Sequence, residues 1–158
     1  MTDKWQTMLL LIPMAVIFIF VYVTSFTNIF IHEYLGHGLY CLLAGGNPTV
    51  SQISSGFMTI CYDAPENFAL GLFRVSGIAA ELLIGLILLA IPMTSFFGGF
   101  VLFYVSFNNA VGMYSKDFAQ LGLQFLMEPA VKMFYVVCGS ALLVVSFLIW
   151  WDYWKRME

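Results

Sequence analysis

Histidine occurs twice in this 158-residue chain, and both copies lie in the run Ile31-His32-Glu33-Tyr34-Leu35-Gly36-His37-Gly38. Imidazole is the commonest side chain for holding a transition metal, so the run invites comparison with the zinc-hydrolase pattern His-Glu-x-x-His. In that pattern residues four apart share a helix face, the two imidazoles bind one zinc, and the glutamate between them is the general base. Here the second histidine stands five positions on. At 3.6 residues per turn, His32 and His37 lie roughly 140° apart on an α-helix, whereas Glu33, His37 and Cys41 form the four-residue stripe. A π-bulge, bonded i→i+5, brings both histidines to one face, and such bulges are frequent at functional sites. Gly36 is the expected place for it, because it carries no side chain. The spacing therefore sets two expectations. A bulge or kink belongs to a metal-binding chain, and a regular helix with His32 outside the site to a non-catalytic one. The bland account is a helix end at a membrane surface, where His and Glu meet water.

Two further polar groups stand out. Ser76-Gly77-Ile78-Ala79-Ala80-Glu81 reads as a small-residue helix-packing face, with Glu81 snorkelling or satisfied by Arg74. Asn108-Asn109-Ala110-Val111-Gly112-Met113-Tyr114-Ser115-Lys116-Asp117 reads as a helix end followed by a solvated loop.

The elements that must position these residues follow from composition. The chain is 61% hydrophobic and 9% charged, against about 45–50% and about 25% in a soluble domain, and its mean hydropathy is +0.91. The expected fold is an all-α integral membrane protein forming a single transmembrane domain over residues 1–158, with about four transmembrane helices and a small β-hairpin after the first. That composition excludes nucleic-acid binding, disordered tails and secreted disulfide scaffolds. Cys41, Cys61 and Cys138 are an odd count without paired spacing, so neither a disulfide framework nor a zinc knuckle is expected. The first apolar run is Leu9 to Ile31, continuing with helical periodicity to Leu43 or Ala44, where Gly45-Gly46-Asn47-Pro48 stops it. Thr49 to Asp63, split by Ser55-Gly56, reads as the hairpin. The second span starts after Pro65 and ends at Ile91-Pro92. The third is about Ser95 to Val111, and a short interfacial helix is expected before the fourth, about Val131 to Trp151. Trp150, Trp151, Tyr153 and Trp154 form an aromatic belt ahead of Lys155-Arg156. With four spans, Lys4 and Lys155-Arg156 share one side, and the positive-inside rule places both termini in the cytoplasm. His32 and His37, Arg74 and Glu81, and Asp117 then all fall at the opposite face, which suggests a shared polar site.

Together these motifs resemble the site-2-protease family of intramembrane zinc metalloproteases, chiefly its short members. That family has His-Glu-x-Gly-His in an early membrane helix, matched here by His32-Glu33-Tyr34-Leu35-Gly36-His37 with one extra residue. Its Ala-Gly-Pro-x-Ala-Asn is matched at the glycine and alanine of Ser76–Glu81, and its Asn, then Asp-Gly, by Asn109 and Asp117. The resemblance spans roughly residues 29 to 123 and rests on order and spacing, with no single motif intact. It implies zinc held by His32, His37 and Asp117, and Glu33 as the general base. Asn109 or Glu81 would orient substrate or a ligand's second nitrogen. The reaction implied is hydrolysis of a peptide bond at or within the membrane. The partners implied are membrane lipid and a membrane-protein substrate, with no nucleic acid. The departures from the motifs define the alternative, a non-catalytic pseudoprotease or accessory subunit of a larger membrane complex. A small transporter is the weakest class, because the polar residues cluster at one end only.

Overall fold

The computed structural model describes residues 26–53, 56–112, 114, 118–119 and 121–157; most of the expected first span lies outside them. The first helix, α1, comprises π-helical Thr27–Gly38 and α-helical Leu39–Leu43. Its i→i+5 bonding is visible at the Leu39 N–H, which reaches the Tyr34 carbonyl. The π segment is thus a run of more than two turns, where the spacing predicted a local bulge. The helix ends as the glycines dictate: Gly45 adopts φ 90°, its N–H bonds the Leu42 carbonyl, and that of Gly46 bonds the Cys41 carbonyl. This is the Schellman arrangement, which satisfies carbonyls a helix end leaves orphaned.

Strands β1 (Asn47–Ile53) and β2 (Gly56–Tyr62) form the antiparallel hairpin, in the register Asn47 with Tyr62 and Val50 with Thr59. Helix α2 (Leu70–Ala90) ends where Ile91, preceding Pro92, turns extended, as the steric demand of a following proline requires. Helix α3 (Ser95–Val111) stops at Gly112 with φ 86°. A 3₁₀ turn, Gln124–Met127, stands in the expected interfacial stretch. Helix α4 (Pro129–Lys155) begins with proline in its first turn, where a missing N–H costs nothing.

Helix α1 packs on α2, α2 on α3 and α3 on α4, and the hairpin lies against α1. Small residues set the crossings: a Cβ on Gly98 would fall 2.7 Å from the Gly85 carbonyl oxygen, and one on Gly139 2.7 Å from Ser106 Cβ. Close backbone approach of this kind is how helices associate where no hydrophobic force drives them. Helices α2 and α4 are long and apolar enough to cross a membrane. Many of their large apolar side chains stay on the outside, with Leu72, Leu83, Met133, Phe134 and Val137 all exposed. The interior includes a cluster of Ile78, Val105, Tyr114 and Phe118, with Leu123, Leu126 and Met127 packed against it. At the far end, Phe96, Phe147 and Trp150 interlock, and Lys155 lies over the Trp151 ring.

The cysteines correct the sequence expectation, because Cys41 and Cys61 form a disulfide joining α1 to β2. Cys138 is a free thiol. Twenty residues separate the bonded pair, and only the hairpin, by folding back, brings the two together.

Candidate metal centre

The π-helix solves the spacing problem posed by the two histidines. With i→i+5 bonding, residues five apart return to nearly the same side, and His32 Nε2 lies 3.2 Å from His37 Nε2. Both rings are buried. His32, Glu33 and His37 each offer a ligand atom, all within 4.8 Å of one another, so the group could hold a metal ion.

What orients each ring can be read from its other nitrogen. His37 Nδ1 lies 2.6 Å from the Phe73 carbonyl oxygen, which can only accept, so Nδ1 carries the proton and donates. Ser76 Oγ stands 3.2 Å from the same nitrogen. His32 Nδ1 lies 3.1 Å from Glu81 Oε2, again an acceptor when ionised. His37 therefore turns Nε2 inward with its lone pair, and His32 does the same when its Nδ1 carries the proton facing Glu81. Two nitrogens at 3.2 Å can share a proton or flank a metal ion. Two ligands about 2.0–2.1 Å from a tetrahedral zinc stand about 3.3 Å apart, so the 3.2 Å separation fits a shared ion. The carboxylate and carbonyl behind the rings are the outer partners that fix tautomer and ring angle at metal-binding histidines.

Glu81 is fully buried. Its partners are His32 and Tyr114, whose hydroxyl donates to Oε2 at 2.8 Å, rather than the Arg74 that the sequence offered. The Tyr114 ring also stacks on His32, with centroids 5.4 Å apart and planes 9° from parallel. Burial, reinforced by the Glu81 carboxylate, pushes the Tyr114 phenol's pKa up, so it remains a donor. Asn108 Nδ2 reaches the Tyr114 oxygen at 3.5 Å. Glu33 is held from the hairpin: Oε2 accepts from the Thr59 N–H at 2.7 Å and stands 2.7 Å from the Thr59 hydroxyl.

The structure thus brings together His32, Glu33, His37 and Glu81. Asn109 is buried at the end of α3, and its Oδ1 meets no donor among the described residues; its neighbour Asn108 is the one that joins the network. Asp117 lies outside the described residues. Tyr114, Asn108 and Thr59 were not singled out as site residues from the sequence. Thr59 carried no signal beyond its place in the hairpin, and Tyr114 none beyond being an aromatic beside Asp117.

Glycine makes the seat. Gly36 and Gly77 bring α1 and α2 into backbone contact, and a Cβ on Gly77 would fall 2.6 Å from His32 Nε2. Gly77→Ala is therefore expected to displace the His32 ring. Metal affinity should fall about 10–100-fold, the range seen when partners behind a metal ligand are disturbed. Competition with a chromophoric chelator measures this, and an unchanged affinity would mean that the ring is not seated there.

Compared with models of known protein families, with curated proteins and with solved structures, the chain finds no match.

Proposed function

We propose that the chain is a membrane-embedded, zinc-dependent peptidase of the site-2-protease type. The observation that carries this reading is the convergence of His32 Nε2 and His37 Nε2 at 3.2 Å, achieved by a π-helix in the one stretch where an α-helix would have separated them. His32 and His37 would hold the ion, with Asp117 as the third ligand that the family resemblance implies. Bound there, zinc would polarise the scissile carbonyl and lower the pKa of water toward about 7. Glu33 accepts the proton of the attacking water and delivers it to the departing amine nitrogen as the C–N bond breaks. Glu81 and Phe73 keep the two rings in the tautomer that leaves Nε2 for the ion. The buried setting of His32, Glu33 and Glu81 keeps bulk water from competing with these contacts.

Four membrane crossings, with both termini cytoplasmic, complete the proposal. Lys155 and Arg156 lie at the α4 end remote from the histidines, which suits the positive-inside rule. The Cys41–Cys61 disulfide lies at the histidine end, which suits an oxidising compartment. The second reading is a non-catalytic metal-binding subunit on the same scaffold, favoured by the extra residue between His32 and His37 relative to His-Glu-x-x-His.

The test is metal content and cleavage on one preparation. Full-length protein in detergent is expected to hold one equivalent of zinc and to cut a panel of transmembrane-helix peptides, with 1,10-phenanthroline abolishing the cutting. Protein that takes up no metal refutes the site. Loaded protein that leaves every peptide intact favours the second reading.

A further inference from the structure

Strand β2 is fastened to α1 at two points. At the first, Glu33 Oε2 takes the Thr59 N–H at 2.7 Å, and the Thr59 hydroxyl stands within 2.7 Å of Oε2 and 3.0 Å of the Glu33 carbonyl. That N–H points away from β1, so the Val50–Thr59 pair is of the kind whose members do not bond each other. Glu33 thereby satisfies a donor that would otherwise be an unpaired edge group. At the second point, two residues along β2, Cys61 is bonded to Cys41, four positions after His37 on α1. Residues 59 and 61 share a face of the strand, because side chains alternate. Gly46 makes room for the link: a Cβ there would lie 2.5 Å from Cys61 Sγ and 3.0 Å from Cys41 Sγ.

We infer that β2 is a disulfide-held strap, with Thr59 the positioning residue for Glu33, so that the site is competent only while Cys41 and Cys61 are bonded. The chemistry is direct. A carboxylate that moves a proton must present one oxygen in a fixed direction. Two donors on Oε2 hold that oxygen and leave Oε1 for the reaction. Among the described residues the donors to Oε2 come from β2, and the covalent tie two residues on keeps β2 in place. A dithiol that passes two electrons and two protons to the Cys41–Cys61 bond yields two thiols and its own disulfide. The strap is then released and the carboxylate can swing. The catalytic part of this inference rests on Glu33 being the proton carrier; the strap itself does not.

The experiment has two arms on the full-length protein in detergent. In the first, T59V removes the hydroxyl and keeps the backbone N–H, whereas T59S keeps both. T59V is expected to lower kcat about 10-fold, the lower end for losing a hydrogen bond to a charged group. KM and bound zinc should stay within about twofold, and T59S should restore the rate. A T59V enzyme with unchanged kcat overturns the positioning role. In the second arm, amide hydrogen exchange is followed over residues 56–62. Dithiothreitol should speed exchange at Thr59 at least about 10-fold, and E33A should do the same with the disulfide intact. The C41S/C61S variant should show the fast rate with or without dithiothreitol. Exchange that is indifferent to reduction overturns the disulfide-held strap. If no preparation cleaves peptide, the peptidase reading falls and the exchange arm still decides the strap.

Discussion

Replacing His32 or His37 by alanine is expected to weaken binding of the proposed zinc ion by about 10²–10³-fold. Structural zinc sites with four protein ligands supply about 10–16 kcal/mol in all, so each such ligand accounts for roughly 2.5–4 kcal/mol, at about 1.4 kcal/mol per decade. The two variants are expected to differ in stability. His37 donates to the Phe73 carbonyl and its ring packs on Phe73, with centroids 4.8 Å apart; alanine there returns to the backbone a carbonyl that Ser76 Oγ still reaches at 2.6 Å. His32 faces Glu81, which is fully buried. Alanine at 32 leaves that carboxylate with the Tyr114 hydroxyl and no cation. Leaving a buried acceptor without its donor costs about 1–3 kcal/mol, more where the group is charged. His32→Ala should therefore unfold at lower temperature than His37→Ala, although the two are expected to weaken metal binding alike. The double variant His32→Ala with Glu81→Leu should recover much of the stability without recovering zinc. Chelator competition reads the metal, and circular dichroism melts read the fold. A His32→Ala protein that binds zinc like the parent would remove His32 from the site.

Which parts of this arrangement could be read from sequence follows from how local the determinants are. Helix α3 spans Ser95–Val111 as expected, because Pro92 and Gly112 punctuate the chain at either end and act within one turn. The hairpin starts at Asn47 rather than Thr49 and ends at Tyr62, the usual uncertainty where pairing, not propensity, decides a strand's limit. Helix α4 begins at Pro129 and runs to Lys155, beyond the apolar stretch on both sides, since proline starts helices well and nothing in the aromatic belt stops one.

The partners of the candidate site were not local and so were not legible. Gly36 was singled out as a place where backbone could unwind; its contact with Gly77 comes from another helix. Cys41 lay on the Glu33–His37 stripe and read as a further polar position, but its partner is Cys61 on β2. One cysteine just before a predicted hairpin and one near its end were the one signal that could have paired them. Thr59 acquires its role only when β2 is laid on α1. The π-helix itself was half legible: the five-residue spacing required it for a shared site, but its extent back to Thr27 lies outside the motif.

Glu33→Gln separates the two readings of the protein, and its expected effect on the reaction is the largest. Glutamine has the shape of glutamate and one oxygen, which can still accept from the Thr59 N–H, so the strap and the helix should survive. Its amide cannot take up a proton. If Glu33 is the general base, turnover should fall by at least about 10²-fold, the lower range for a positioned acid–base group. KM should stay nearly constant, because the loss is confined to the transition state. Zinc should remain bound, since the two imidazoles that converge at 3.2 Å are untouched. The combination is diagnostic. Loss of rate with loss of metal would make Glu33 a ligand rather than a base, which its position within 4.8 Å of both histidine donors allows. Loss of rate with retained metal assigns the proton transfer to Glu33. Unchanged turnover in the variant eliminates Glu33 as the base and leaves its bond to Thr59 as a purely structural tie between hairpin and helix.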